Sequence, residues 1–306
     1  MIHDVMTIGS ATLDLFMKSG QFHLQPTEKG VLLCEEYGSK IDIDEFEMHS
    51  GGAGTNTAVG FARMGFKTAA VVEIGSDVLG QIVWDELKRE RIDTQFIVSQ
   101  PDEPTAVSVL LISGEGGRSI LTHRGNFRLA ARDLPWEALL QTRWIHLSNV
   151  AGNKELLLRL FDHLHESLVG LSWNPGRPEL AMLARHELKI SETLCDIFFV
   201  NKEEWEVVRD VQKELLQSVP QVIITDGKNG GEVYLKGEHQ LHYDIAQVET
   251  KQETGAGDAF VSGYVSAHLL GFEMPECVEW GKREAASVVQ FMGAKKGLLY
   301  RKDMGL

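Results

Sequence analysis

The sequence predicts an α/β protein: a doubly wound, mostly parallel sheet flanked by helices, with a small β-sheet beside it. Three observations predict it. Short, near-continuous apolar runs alternate with amphipathic stretches of ten to sixteen residues, the rhythm of βαβ units. Those runs lack a polar alternation, as expected of strands buried on both faces. Two other stretches read as strands and turns with no helix between them.

Each element follows in order. "DVMTIGS" (4–10) reads as a buried strand and "AGTNTAVGFARMG" (53–65) as a helix ended by Gly65. "TAAVVEIG" (68–75) is a strand and "DVLGQIVWDELKRERI" (77–92) a helix. "RWIHLSN" (143–149) is a strand, "NKELLLRLFDHLHESL" (153–168) a helix, and "VGLSWN" (169–174), "CDIFFVN" (195–201) and "QVIITDG" (221–227) are three further strands. Two helices, about 255–271 and 275–293, close the chain. The stretches that break the rhythm are 29–50 and 103–125, the second a hairpin around "GEGG". Together they predict a small antiparallel sheet inserted into one domain spanning 1–306, with about 12–50 and 98–125 forming a lid. The bland reading is that they are edge strands of the main sheet.

Composition bounds the function. The chain has 306 residues, 43% hydrophobic and 24% charged, with a net charge of −14 and a pI near 5.3. That length supports a sizeable core without staples. An acidic surface disfavours sequence-independent binding to nucleic acid or anionic membrane, although an amide-lined pocket can still take an anionic ligand. Cys34, Cys195 and Cys277 are far apart, odd in number and outside any CxxC spacing, which predicts reduced thiols in a cytoplasmic protein. The first residues lack a basic, apolar leader pattern, and apolar runs under ten residues are too short to span a bilayer. The histidines at 123, 146, 163, 165 and 242 show no ligand spacing.

Two common phosphate loops are absent. "GGAGTNTAVG" has Thr57 where GxGxxG needs glycine, and "GAGDAF" has Phe260 there. "DGKNGG" lacks both the upstream glycine and the following hydroxyl of a P-loop. Without the dinucleotide fingerprint, an NAD-type oxidoreductase is disfavoured.

"QETGAGDAFVSGYVSAHLLG" (252–271) carries more. Gly255, Ala256 and Gly257 have almost no side chains and open a helix. Bare amides there bind anions and stabilise charge that builds on a transferring phosphoryl group. Asp258 follows within reach of a hydroxyl held beside that group and can take its proton. The structural reading is a turn with an acid placed well for the helix dipole. "HSGGAGTNTAVGFARMG" likewise leads from Gly51 and Gly52 into a helix carrying Asn56, whose amide donates and accepts and so suits hydroxyls. By itself it is also a plain glycine-rich helix start.

At these residues the chain resembles the ribokinase-like, or PfkB, carbohydrate and nucleoside kinases, over nearly its whole length. "SGGAGTNTAVGFARMG" resembles that family's N-terminal signature and "TGAGDAF" its C-terminal one, about 200 residues apart. "EIGSDVLGQIVWDELKRERID", with Gly75, Asp77 and Gly80, resembles a third family segment. The resemblance implies phosphoryl transfer from ATP, with Mg²⁺, to a hydroxyl of a small sugar or nucleoside. It implies Asp258 as base and residues 255–257 as the anion hole. Asp14, Gly51, Gly52, Asn56 and Asn174 match the substrate-binding positions. Asn201, Thr225, Gly227 and, by a looser alignment, Lys282 match the nucleotide-binding ones. Glu204, in "NKEEWE", matches the residue that organises Mg²⁺ through water. The lid implies a contact between two copies.

Taken from the residues, Asp14 and Thr225 follow predicted parallel strands while Asn174 and Asn201 end them, which places them where ligands sit in such sheets. Asp14 also reads as a turn residue, and Asn201 with Glu204 as a helix cap. Many family members carry an acid where this chain has Gln252, part of a monovalent-cation site. Gln252 is neutral, so potassium does not follow from the resemblance, and Glu253 should point the other way in an extended segment. A non-catalytic ligand binder on the same scaffold is the alternative from another class. The intact Asp258 and its glycines weigh against it. Arg124, in "THRGNF", could meet an acidic group; Phe16, Phe22, Phe46 and Phe127 are the aromatic residues available to a nucleoside base.

Overall fold

A computed structural model describes residues 2–28, 30–115, 117–125 and 129–305. Asn126 and Phe127 of the "THRGNF" stretch lie outside them. The chain opens with β1 (His3–Gly9) and turns at once into β2 (Thr12–Ser19). There follow β3 (His23–Thr27), β4 (Gly30–Cys34), β5 (Glu45–Gly51), α1 (Ala53–Arg63), β6 (Thr68–Gly75), α2 (Val78–Arg89), β7 (Val98–Gln100), β8 (Val107–Ser113) and β9 (Arg118–His123). The second half runs through α3 (Trp136–Leu140), β10 (Thr142–Leu147), α4 (Lys154–Leu164), β11 (Gly170–Trp173), α5 (Arg177–Ala184), β12 (Ile197–Asn201), α6 (Lys202–Val207) and α7 (Gln212–Ser218). It closes with β13 (Gln221–Thr225), β14 (Gly231–Leu235), β15 (Glu238–Tyr243), α8 (Ala256–Leu269) and α9 (Met274–Val288).

Among the described residues the main sheet has nine strands in the order β15-β14-β13-β12-β11-β10-β1-β6-β7. It is parallel from β7 to β13 and ends in the antiparallel pair β14 and β15. The apolar runs are continuous because both faces are covered. Phe198, Val200, Val222 and Ile224 pack with α4 and α5 through Leu156, Leu160 and Leu180. Their neighbours Ile197, Phe199 and Ile223 point the other way, to Phe61 of α1 and to Phe260 and Tyr264 of α8. Each such fully buried side chain contributes roughly 1.5–3 kcal/mol. α8 is apolar all round because it lies between the sheet and α9, so it has no solvent face to make polar. It sits close to its neighbours: a Cβ on Gly60 of α1 would fall 2.2 Å from Ser262 Oγ, and one on Gly281 of α9 2.9 Å from Phe260.

The small sheet corrects two expectations. It is mixed, in the order β5-β2-β8-β9, with β2 and β8 parallel. β3 and β4 form a hairpin of their own. Asp14 stands inside β2 and not in a turn after β1, because the chain re-enters a strand within two residues of Gly9. The antiparallel edge pair β14 and β15 also went unread in the sequence, since "GEVYLKGEHQLHY" alternates polar and apolar residues as a half-exposed edge does.

Gly75, Asp77 and Gly80 have a structural explanation. The Asp77 carboxylate accepts the amides of Gly80 and Thr105 at 2.7 and 2.9 Å and the Thr105 hydroxyl at 2.6 Å. These bonds hold its carboxyl below the usual range against the effect of burial. A Cβ on Gly75 would fall 2.2 Å from Glu103 O, and one on Gly80 2.2 Å from Gly75 O. The three residues clamp the start of α2 to the segment that leads into β8.

Candidate active site

Ligands in open α/β sheets lie beyond the carboxyl ends of the strands, where strand order reverses. Here β1 has β6 on one side and β10 on the other. The candidate residues collect at that end: Asn174 just after β11, Asn201 and Thr225 as the last residues of β12 and β13. With Ala53, Glu204 and Gly257 they line a cavity of about 180 Å³. Asn149, after β10, lines it too and was missed in the sequence, where it looked like the tail of a strand.

Two helices enter this region through glycines with positive φ: Gly52 (+92°) before α1 and Gly255 (+83°) before α8. Neither has a side-chain cap. At α8 the amides of Gly257 and Asp258 have no intrahelical acceptor and donate to no protein group among the described residues. A Cβ on Gly257 would meet nothing within 4 Å, so the space beside those amides is open. Asp258, one residue on, accepts a 2.8 Å hydrogen bond from the Asn56 side-chain amide of α1. Burial pushes its carboxyl above the usual range, while Asn56 and the Lys295 ammonium pull it down.

On the small-sheet side, Asp14 is buried with its carboxylate against Gly51, where a Cβ would fall 2.1 Å from Oδ2. Thr12 donates to it at 3.2 Å. Burial raises its carboxyl; the hydroxyls of Ser108 and Thr12 and the charges of Lys295 and His49 oppose the rise. Asp14 thus meets the entrance of α1 at Gly51, and Asp258 meets α1 at Asn56.

Asn201 and Glu204 form a reciprocal cap: the Asn201 side chain accepts the Glu204 amide at 2.8 Å, and Glu204 Oε2 accepts the Asn201 amide at 2.9 Å. Burial raises the Glu204 carboxyl, and Asp258 and Glu203 add to the rise while the Asn201 amide and Arg177 oppose it. Asn174 donates its amide to Phe199 O at 2.9 Å and lines the same cavity as Ala53, Glu204, Thr225 and Gly257. Gly227 (φ +52°) is at a turn open to solvent, where a Cβ would meet nothing. Lys282 lies on α9, paired with Glu279 at 2.7 Å, and is not among the residues lining the cavity. Gln252 is buried; its Nε2 donates to Thr254 O at 3.3 Å and its Oε1 has no partner among the described residues, while Glu253 is exposed, as an extended segment requires.

Among the described residues no three His, Cys, Asp or Glu side chains gather to hold a metal. Glu204 therefore fits Mg²⁺ only as a single carboxylate supplemented by water and phosphate oxygens, a usual arrangement for that ion.

An acid beside bare helix amides, on this fold, is the arrangement of a phosphotransferase that acts on a hydroxyl. The model of the pfkB family carbohydrate kinases matches residues 3–299. The chain belongs to that family, whose members here are sugar and nucleoside kinases with an alcohol group as acceptor. It is 25% identical to a nucleoside kinase of Methanothermobacter thermautotrophicus, covering 96% of this chain and 92% of that one. It is 27% identical to the ribokinase of Mus musculus, covering 88% and 87%. In structure it resembles the nucleoside kinase of Methanocaldococcus jannaschii with a TM-score of 0.79 at 22% identity, over 99% of this chain and 97% of the other. No helix among the described residues is long and apolar enough to cross a membrane.

Proposed function

We propose that the chain transfers the γ-phosphoryl group of ATP, with Mg²⁺, to a hydroxyl of a neutral sugar or nucleoside. The observation that supports this best is the 2.8 Å bond from Asn56 to Asp258 beside the open amides of residues 257 and 258. The hydroxyl oxygen attacks the γ-phosphorus as its proton passes to the Asp258 carboxylate, and the bond to the ADP oxygen breaks. The amides stabilise the charge that builds on the equatorial oxygens; one such donor is worth roughly a hundred- to a thousandfold in rate. Mg²⁺, when bound, neutralises phosphate charge, and Glu204 is the residue that would hold it through water. Asn201, Thr225 and Gly227 face the nucleotide. Asp14, Gly51, Gly52, Asn56 and Asn174 receive the acceptor. A neutral acceptor is favoured because two carboxylates, Asp14 and Asp258, outnumber one ammonium, Lys295, on that side. Gln252 offers a monovalent cation no carboxylate.

In this proposal the chain works as one domain, in which 12–50 and 98–125 act as a lid that excludes water from the reaction. One face of the small sheet carries Asp14, Phe16 and His49; the alternate residues Met17, Phe46, Met48 and Leu121 fall on the other. Phe46, Met48 and Leu121 are 58%, 42% and 58% exposed. An apolar face of this kind supports a dimer of two copies through the lid.

The test is ADP release with MgATP against a panel of neutral sugars, acid sugars and nucleosides, beside Asp258→Asn. Turnover on a neutral member that the variant loses is expected. Turnover on acid sugars alone would overturn the neutral reading, and none on any member the kinase reading.

A further inference from the structure

The fold carries "GAKKG" (293–297), the stretch after α9, into the site. Gly293 has a φ of +84° and packs on His49, where a Cβ would fall 2.6 Å from the ring. Ala294 packs on Gly255, whose own Cβ would fall 2.4 Å from Ala294 Cβ. Arg63 of α1 donates to the carbonyls of Lys295 and Leu298 at 2.9 Å each. The segment is thus wedged between the end of β5, the end of α1 and the entrance of α8. Lys295 is 3% exposed, and its ammonium donates to the Ser50 hydroxyl, one residue before the Gly51–Gly52 entrance.

A buried ammonium on a neutral hydroxyl is costly unless nearby negative charge compensates it. Four carboxylates face it: Asp14 of β2, Asp258 of α8, Glu86 of α2 and Glu90 beyond α2. Glu90 is already engaged by Arg63 at 2.6 Å. Burial pulls the ammonium down, and Glu86, Asp14 and Asp258 oppose it. Glu86 is half-buried on α2; Asp14 and Asp258 are the two buried in the site, and each gains from a cation.

We propose that Lys295 is a positioning residue of the phosphotransfer: tied to Ser50 beside the Gly51 that Asp14 abuts, and held against the entrance of α8 through Ala294, its buried ammonium favours the charged form of Asp14 and Asp258. The proposal rests on the reading of Asp258 as base. Burial alone would favour a protonated acid there, and a protonated Asp258 accepts no proton from a hydroxyl. The other groups acting on these carboxylates are Asn56 and Glu204 at Asp258, and Thr12, Ser108 and His49 at Asp14. A purely structural Lys295 would strut the small sheet against α8 without affecting either titration.

The experiment follows the carboxyl-carbon NMR titrations of Asp14 and Asp258 in the metal-free wild type, Lys295→Met, Lys295→Arg and Ser50→Ala. The pH dependence of kcat/KM with MgATP and an accepted panel substrate is measured beside them. In Lys295→Met both midpoints are expected to move up by about one unit, the size of a nearby charge effect. The acidic limb of kcat/KM should move with Asp258, a roughly tenfold loss below the limb. Lys295→Arg should bring both midpoints most of the way back to wild type. Wild-type midpoints in a folded Lys295→Met protein would overturn the proposal. Should that variant not fold, Ser50→Ala decides: a smaller upward shift supports the proposal, and unchanged midpoints sink it. A wild type that titrates as expected but phosphorylates nothing on the panel would overturn the kinase role of Asp258 and leave the charge pairing standing.

Discussion

α1 and α8 start alike and end up different. Both enter through a glycine with positive φ, both lack a side-chain cap, and they pack on each other. At α1 the entrance is spent within the protein. Ser10 accepts the amides of Ala53 through its hydroxyl and of Gly54 through its carbonyl, at 3.1 and 3.0 Å. A Cβ on Gly52 would fall 2.5 Å from Ser10 O. At α8 the amides of Gly257 and Asp258 are left without a protein acceptor among the described residues, and Gly257 borders open space. Glycine therefore serves two purposes in one site: close packing of the body at α1, and room for a ligand at α8.

Asp258→Asn should break the comparison most severely. Loss of the base is expected to lower kcat by roughly a thousandfold, while thermal unfolding stays within a few degrees of wild type. Turnover within tenfold of wild type would remove Asp258 from the chemistry.

The pair Gly257→Ala and Gly52→Ala tests the difference directly. Gly257→Ala adds a methyl to open space, so it should fold normally yet lose roughly tenfold or more in ADP release. Gly52→Ala forces a left-handed φ and a clash with Ser10 O, and should cost about 2 kcal/mol or more in denaturant unfolding. Equal losses of stability in both would mean that the two entrances do the same work.

A third outcome concerns how α8 is seated. Gly263 of α8 packs on Glu284 of α9, whose Oε2 accepts the Leu299 amide at 3.0 Å while Oε1 has no partner among the described residues. Burial pushes its carboxyl up to about 8. The folded protein therefore holds a proton that the unfolded chain gives up near the ordinary value of 4.5. Stability is fully present below that value and is lost as pH rises through about 8, by up to roughly 1.4 kcal/mol per unit. Denaturation at pH 6 and 8 should show this slope in wild type and a flatter one in Glu284→Gln. Parallel slopes would refute the assignment.

The smallest effect expected is that of potassium. Exchange of K⁺ for Na⁺ should change ADP release less than about twofold, because Gln252 offers a neutral amide oxygen where an ion site would use an acid. A tenfold loss in Na⁺ would show that the unpartnered Oε1 of Gln252 serves in its place.

Much of the fold was legible because local physics repeats it. "TAAVVEIG" is a strand over the whole of its predicted length, and Gly65 ends α1 with φ +87°. Buried strands and amphipathic helices carry their period in the residues themselves. The edge strands were not legible, since "GEVYLKGEHQLHY" and the β2 stretch "TLDLFMKS" owe their state to neighbours far along the chain. In the site, the acid and its glycines stood out because a helix start stripped of side chains is a local pattern. Asn149 and Lys295 did not, because nothing near them in the chain marks them.

What local residue order decided, then, was the α/β rhythm, the bare entrance of α8 and the acid beside it. These follow from side-chain size and backbone freedom within a few residues. Folding in three dimensions decided which entrance stays open, that Asn56 reaches Asp258 across 202 positions, and that Lys295 is buried against Ser50 from 245 positions away. Such long-range pairings depend on strand order and helix packing, and a charge acts on whatever carboxylate the fold brings near it, however far off in sequence.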